Sequence, residues 1–342
     1  MYTGEDDHLT TSQPVREPAR VPQRRRARHR RPLAWCAGLL LLPISLPLVA
    51  RGLDTDGPAP LPQLLAFLPW FLIPGWLALL CAVLARQPLL LAWALAALGA
   101  TAWYIQPYGS EQIIPEEPPL AQVRVLTANL EFGNATGGLL DVLRRERPHL
   151  VSVQECDHRC ASALESQELR EAYPYRLITG GSAAQGSALL SVYPLKDERE
   201  IPATLSMPSA VAEVGPNATP VRIQVAHPMP PRLDSMTAWN AELAALGKVA
   251  ADRGDTRTVI AGDFNSSQDH ATFRAILDTG LRDSARLLGH SRTPTWPALT
   301  APPLGAQIDH ILVSETLTPI SSQFLDLPDT DHRALLVDVK VY

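Results

Sequence analysis

The chain has 342 residues, 46% of them hydrophobic and 19% charged, with a formal net charge of −5 at pH 7. That length is too great for one ordinary small domain. The acidic balance counts against a protein built to coat nucleic acid with cationic side chains.

The opening tract, residues 1–32, is polar and ends in "RRRARHRR"; it is predicted to be a basic, disordered cytoplasmic tail. A membrane region over 33–105 follows, with three predicted spans at 33–50, 61–85 and 89–105. Eighteen helical residues rise about 27 Å, close to the thickness of a hydrocarbon core. The first run also admits a cleaved signal peptide or a twin-arginine export signal. Against cleavage, "LPLVARG" lacks a small-x-small site and two further apolar runs come after it. Arginines favour the cytoplasmic side in short flanks. The basic cluster and Arg86, in the turn between the second and third runs, both lie inside if the N-terminus does. Three crossings then place everything after Ile105 outside; two would leave it in the cytosol.

Residues 106–120, "QPYGSEQIIPEEPPL", have the Pro and acid content of an extended linker. The remainder, 121–342, alternates strand-like and helical patterns, as an α/β domain does. The strand-like runs are "VRVLTANL", "HLVSVQE", "SALLSVY", "PVRIQVAH", "RTVIAGDFN", "IDHILVS" and the closing "ALLVDVKVY". Helical patterns cover "GGLLDVLRRERP", "DSMTAWNAELAALGKVAADRG" and "DHATFRAILDTGL". Cys36 and Cys81 lie in apolar runs and read as small buried hydrophobes. Cys156 and Cys160, in "QECDHRC", are either a short disulfide or two free thiols; an outside location favours the bond.

Several strands end on polar residues that packing does not need: Asn129, Glu155, His227 and Asp263. Ligand sites in α/β folds gather at strand ends. Two acids, an amide and an imidazole brought together suit a hard divalent cation and a phosphate. In "GDFNSS", Asp263 and Asn265 are two apart and share a face if the backbone is extended. The same letters also read as an Asp-Asn turn capping a helix. Glu155 and Asn129 each admit a plain surface or turn reading, and His227, before "PMPP", a solvated loop. In "IDHI", Asp309 and His310 point to opposite faces of a strand, so only one can serve a site. Asp309 is the candidate to orient His332 of "DTDHR", an arrangement that fixes tautomer and ring direction. Asp331 is then placed to complete a cation site.

The series TANL, QE, a strand-end His, GDFN, IDHI and DHR resembles the endonuclease/exonuclease/phosphatase superfamily, which includes DNase I, AP endonucleases, inositol-polyphosphate phosphatases and neutral sphingomyelinases. The likeness runs from about Val123 to the C-terminus, and the layout resembles membrane-anchored bacterial members. It implies a four-layered α/β sandwich: two mixed sheets face to face, helices outside, the site at one end. It also implies Mg²⁺, with Mn²⁺ as substitute, held by Glu155 with Asn129 and Asp331. Asp263 would position or deprotonate the attacking water, and Asn265 and His227 would hold phosphoryl oxygens. His332, oriented by Asp309, would be the acid–base imidazole. "SVYP" at 191–194 departs from the family's Ser-Arg-Tyr-Pro, and Ala334 stands where Pro often follows Asp-His-Arg.

From Pro107 onward there are 20 Lys and Arg against 29 Asp and Glu, a balance of −9. That places duplex DNA below lipid-linked phosphates among the expected substrates. The expected protein is therefore a membrane-tethered, metal-dependent phosphoesterase acting outside the cytoplasmic membrane. Its alternatives are an extracytoplasmic nuclease and a catalytically silent envelope protein that binds a phosphorylated ligand.

Overall fold

In the computed structural model, residues 24–112, 114–299 and 304–342 are described. Residues 1–23 of the predicted tail lie outside them. Helix α1, Arg24–Gly52, begins within the Arg cluster. Arginine is a good helix former, so an apolar helix propagates readily into it.

Three apolar helices pack side by side: α1, α3 (Leu72–Ala85) and α4 (Pro88–Tyr104). Two stretches, Arg30–Gly52 and Leu68–Ala85, are long and apolar enough to cross a membrane; Pro88–Tyr104 is shorter. The predicted span 61–85 is not one continuous helix. It divides into α2 (Leu61–Ala66), a 3-10 turn at Leu68–Phe71, and α3. Pro69 in that turn lacks the N–H that would carry α2 onward. Inside α1, Ser45 donates to the Leu41 carbonyl (2.8 Å) and accepts from the Trp93 indole of α4 (2.9 Å).

The remaining elements are β1 (Ala121–Asn129), α5 (Thr136–Glu146), β2 (Leu150–Gln154), α6 (His158–Leu164), α7 (Gln167–Ala172), β3 (Tyr175–Thr179), β4 (Ser187–Ser191), β5 (Leu195–Ile201), β6 (Met207–Val214) and β7 (Thr219–Ala226). They continue through α8 (Met236–Ala251), β8 (Thr258–Asp263), α9 (Ala271–Leu277), β9 (Arg282–Asp283), α10 (Ser284–Leu287), β10 (Asp309–Val313), β11 (Leu317–Asp326) and β12 (Arg333–Val341). Two six-stranded mixed sheets result, in the orders β11-β12-β1-β2-β4-β3 and β5-β6-β7-β8-β10-β9.

Alternating apolar positions of both sheets form the central core. Val123, Val125, Leu335 and Val337 come from one sheet; Ile223, Val225, Val259 and Ile311 come from the other. The outer face of the first sheet is covered by α5, α6 and α7 through Leu139, Val142, Leu164 and Leu169. The outer face of the second is covered by α8 and α9 through Trp239, Leu243, Phe273 and Ile276. These four layers are the architecture expected from the sequence.

Each sheet holds one parallel pair, β1–β2 and β7–β8. Parallel neighbours need a crossover, which α5 and α8 supply. The two pairs therefore finish at the same end of the sandwich, and antiparallel β10 and β12 begin there, Asp309 pairing directly with Asp263. This single topological fact brings distant sequence positions to one place. Residues 106–110 are not a free linker: Tyr108 donates to Gln268 (2.9 Å) and to Asp278 (2.7 Å), and the Arg286 guanidinium takes the Gly109 and Ser110 carbonyls.

Candidate active site

Glu155 follows β2 with φ of +55°, a conformation costly for a residue with a side chain, roughly 1–3 kcal/mol. The turn directs its carboxylate inward. Oε2 accepts the Phe132 amide (2.8 Å), and Oε1 lies 3.4 Å from Asn129 Nδ2 and 3.8 Å from His227 Nε2. The next residue, Cys156, forms a disulfide with Cys160 (Cα–Cα 5.2 Å), and Asp157 caps α6 through the Cys160 amide (2.9 Å).

Asn129 closes β1. Its Nδ2 also donates to Asp263 Oδ2 (3.0 Å), while its Oδ1 accepts the Glu131 amide (3.0 Å). So held, Asn129 spaces the two carboxylates and offers them its nitrogen. Its oxygen is engaged by the Glu131 amide, while Glu155 and Asp331 present carboxylate oxygens.

Asp263 ends β8. Gly262 is needed before it because a Cβ there would sit 1.9 Å from the Ala226 carbonyl oxygen. The backbone does not stay extended to Asn265, whose φ is +47°. The same-face argument for "GDFN" therefore fails, and the turn reading is the correct one: the Asn265 amide closes onto Asp263 Oδ1 (2.8 Å). Asn265 Nδ2 instead reaches the Pro228 carbonyl (3.0 Å), tying this loop to the one that carries His227.

His332 stands just before β12. Its Nδ1 lies 2.9 Å from Asp309 Oδ2, and its Nε2 is 3.8 Å from Asp263 Oδ2 and 3.7 Å from Asp331 Oδ1. The Thr330 hydroxyl accepts the His332 amide (3.1 Å) and donates to the Asn129 carbonyl (3.0 Å), pinning this turn against β1. Asp331 accepts the Trp296 indole N–H (2.7 Å), and its own amide donates to Glu131 (2.8 Å). His310 faces away from this cluster, between Asp283 (2.7 Å) and the Ser266 carbonyl (3.1 Å).

The electrostatics follow from burial. Burial opposes charge on His332, but Asp309, Asp263 and Asp331 outweigh it and push its pKa to about 10. Burial and the charge of His332 push His227 down to about 3, so it is neutral near pH 7. Burial raises Asp263 to about 7 against the pull of His332, and burial also raises Glu155.

Among the described residues no Lys or Arg pairs with Glu155, Asp263, Asp309 or Asp331; a single imidazolium faces four acids. Buried carboxylates in surplus over cations fit a divalent ion. One tight group comprises Asp263, Asp309 and His332. Within it His332 Nδ1 is taken by Asp309, and Glu155 and Asp331 are the remaining carboxylates of the site. A cleft of about 600 Å³ lined by Glu131, Asn134, Arg159, Leu299 and Asp329 adjoins the site. A larger cavity, about 890 Å³, lies under β5 and the end of α8 and contains none of these groups.

Three side chains that hold the cluster were not named from the sequence: Glu131, Trp296 and Thr330. "TPTW" carries no local signal that its indole meets a carboxylate 35 residues on.

Residues 126–332 match the model of the Endonuclease/Exonuclease/phosphatase family. No curated protein matches the sequence. Among solved structures the fold is similar to D. rerio TDP2 complexed with single-strand DNA product, at 15% identity and a TM-score of 0.54, covering 64% of this chain and 99% of that one. It is similar to the human Nocturnin catalytic domain with bound sulfate, at 19% and 0.53, covering 66% and 97%. The 3′ phosphatase NExo from Neisseria, bound to a product DNA hairpin, gives 17% and 0.51, covering 63% and 98%.

Proposed function

The chain belongs to the endonuclease/exonuclease/phosphatase family, and from that premise we propose that it is a divalent-metal-dependent phosphoesterase, tethered to a membrane, that hydrolyses a lipid-linked phosphate ester or pyrophosphate on the outer side. The observation that carries the reaction class is that Asp263 and Asp331 flank the Asp309-bound imidazole of His332, with Glu155 joined to Asp263 through Asn129 Nδ2.

In this reading Glu155 and Asp331 hold Mg²⁺ or Mn²⁺, which when bound polarises a phosphoryl oxygen. Asp263, raised to about 7, is ionised in a useful fraction near neutral pH and orients or deprotonates the attacking water. Asn129 holds that carboxylate in place through Nδ2. His332, kept cationic with its ring fixed by Asp309, neutralises the phosphoryl charge and delivers a proton to the leaving oxygen. Neutral His227 and Asn265 hold phosphoryl oxygens.

Two features support a lipid-linked substrate. The apolar helices α1, α3 and α4 carry outward-facing Trp35, Leu39, Leu46, Trp76, Leu80 and Leu95, as a lipid-facing bundle does. The catalytic domain meets that bundle beside the site, where Phe67 packs on Trp296 (ring centroids 6.3 Å apart) and Trp296 bonds Asp331. A nuclease reading draws support from the neighbours solved with DNA, and the acidic balance of the domain weighs against it.

The test compares Mg²⁺-dependent turnover of bis-p-nitrophenyl phosphate, plasmid DNA and a polyprenyl pyrophosphate by the full chain. Preference for the lipid supports the proposal and preference for DNA replaces it with a nuclease. No turnover of any of them, or turnover that survives His332→Ala, overturns the enzyme assignment.

A further inference from the structure

The stretch joining α1 to α3, residues 54–71, has more to do than turn the chain round. Asp56 is buried, and its carboxylate accepts the Ala271 amide (2.6 Å), the Thr272 amide (3.0 Å) and the Thr272 hydroxyl, all at the start of α9. Asp54 pairs with Arg274, whose guanidinium is almost wholly buried. The Pro62 carbonyl lies 2.9 Å from His270 Nε2, and the other ring nitrogen of His270 accepts the Ser267 amide (2.9 Å). These contacts fix the loop 264–270, which contains Asn265.

Two further loops are held by the same stretch. The Gln63 side chain donates to the Pro231 carbonyl, in the loop after His227. The Phe67 ring packs on Trp296, whose indole holds Asp331. The loops bearing Asn265 and His227 are joined to each other as well, through Asn265 Nδ2 and the Pro228 carbonyl. The loops that carry His227 and Asn265, and the turn that delivers Asp331, are thus braced by residues from outside the catalytic domain.

Resting on the catalytic reading above, we propose that residues 54–71 are a positioning element of the active site, acting through Asp56 on α9, Gln63 on Pro231 and Phe67 on Trp296. None of the three touches the reacting groups. Their effect is on where Asn265, His227 and Asp331 sit, and small misplacements cost rate steeply. Turnover of a small water-soluble substrate therefore depends on this stretch as much as turnover of a lipid does. A stretch that merely tethered the enzyme near its substrate would affect the lipid alone.

The experiment uses the full chain in detergent, with bis-p-nitrophenyl phosphate as substrate and calorimetric Mn²⁺ titration as a second readout. Phe67→Ala is expected to lower kcat about 10-fold with little change in KM, and to weaken Mn²⁺ binding several-fold through Trp296 and Asp331. Phe67→Tyr should restore both. Asp56→Ala should lower kcat, and Asp56→Asn, which keeps one of the two accepting oxygens, should recover part of the loss. Trp296→Phe, made from the catalytic side, keeps the ring and loses the N–H, so it should weaken Mn²⁺ binding while the fold melts normally. Wild-type kcat and Mn²⁺ affinity in Phe67→Ala and Asp56→Ala would overturn the proposal. So would equal losses in the alanine variants and their conservative partners. Failure of the underlying reading looks different, because then His332→Ala would retain full activity.

Discussion

At the scale of single residues, His332 carries the most. Its ring is fixed at Nδ1 by Asp309 and its Nε2 points between two acids, so the proton it offers has one direction. His332→Ala should lower kcat by about 10²–10⁴-fold, the usual range for removing a positioned acid–base group. Asp309→Asn should leave the melting temperature near wild type and still cost about 10-fold or more, since an amide cannot hold the imidazolium; stopped assays of product release at saturating substrate would read both. The pH behaviour of the metal-free protein follows from two signs. Asp263 is raised from 3.8 to about 7, so its protonated form is favoured on folding and that stability is lost as pH rises from 4 through 7. His332 is raised from 6.5 to about 10, so its contribution is full below 6.5 and lost as pH rises through 10. Added Mn²⁺ competes with protons for the same acids, and the rise in melting temperature it produces should be larger at pH 8 than at pH 5. An equal rise at both would mean that the ion binds elsewhere. Most of these residues were legible because a polar side chain ending an apolar strand has no packing purpose. The amide orientation of Asn129 and the left-handed turn at Asn265 were not legible, because they are set by neighbours such as the Glu131 amide that no local pattern announces.

At the scale of elements, legibility tracked apolar content. The strands β1, β2, β4, β7, β8 and β10 are rich in apolar residues and were read from the sequence, while β6, "MPSAVAEV", is buried and was not. Edge strand β5, "LKDEREI", is exposed for most of its length, and β11 mixes Thr, Pro, Ser and Gln; neither has the period that marks a strand. Their existence is decided by pairing with β6 and β12. The short helix α6 shows how an element serves the site without entering it. It is fixed at its start by the Asp157 cap and the Cys156–Cys160 bond, and Glu155 is the residue just before. Closing so small a loop removes unfolded-state entropy equivalent to about 2 kcal/mol. Reduction of the bond should therefore lower the unfolding free energy by about that amount, measured by denaturant titration, and should weaken Mn²⁺ binding by freeing the Glu155 turn. If reduction softens the fold and leaves Mn²⁺ affinity unchanged, the Glu155 conformation is held by the Phe132 amide and Asn129 alone.

At the scale of the whole molecule the proposed tether raises the question of which side of a membrane the site faces, and the arrangement of charge and contacts gives a specific answer to test. The Arg cluster at the start of α1 and Arg86, between α3 and α4, mark one end of the helical bundle. Every contact with the catalytic domain comes from the opposite end: Asp54 and Asp56 after α1, Gln63 and Phe67 before α3, and the Tyr104 and Ile105 carbonyls that accept from Arg292 at the end of α4. Basic flanks stay on the cytoplasmic side, so the end bearing the active site should be the exported one. A phosphatase reporter that works only outside the cytoplasm should be active when fused after Leu120 and silent when fused after Arg86. The reverse pattern would put the catalytic domain in the cytosol and remove outward-facing lipid phosphates from its reach. Activity at both points would mean that α3 and α4 do not cross, and the bundle would then be a surface-docked cap on the domain. The sequence showed this apolar region as three spans because hydropathy sums over residues without regard to Pro69. The break there matters to function, since it lets Gln63 and Phe67 reach the loops of the active site while Leu68 stays in the core of the bundle.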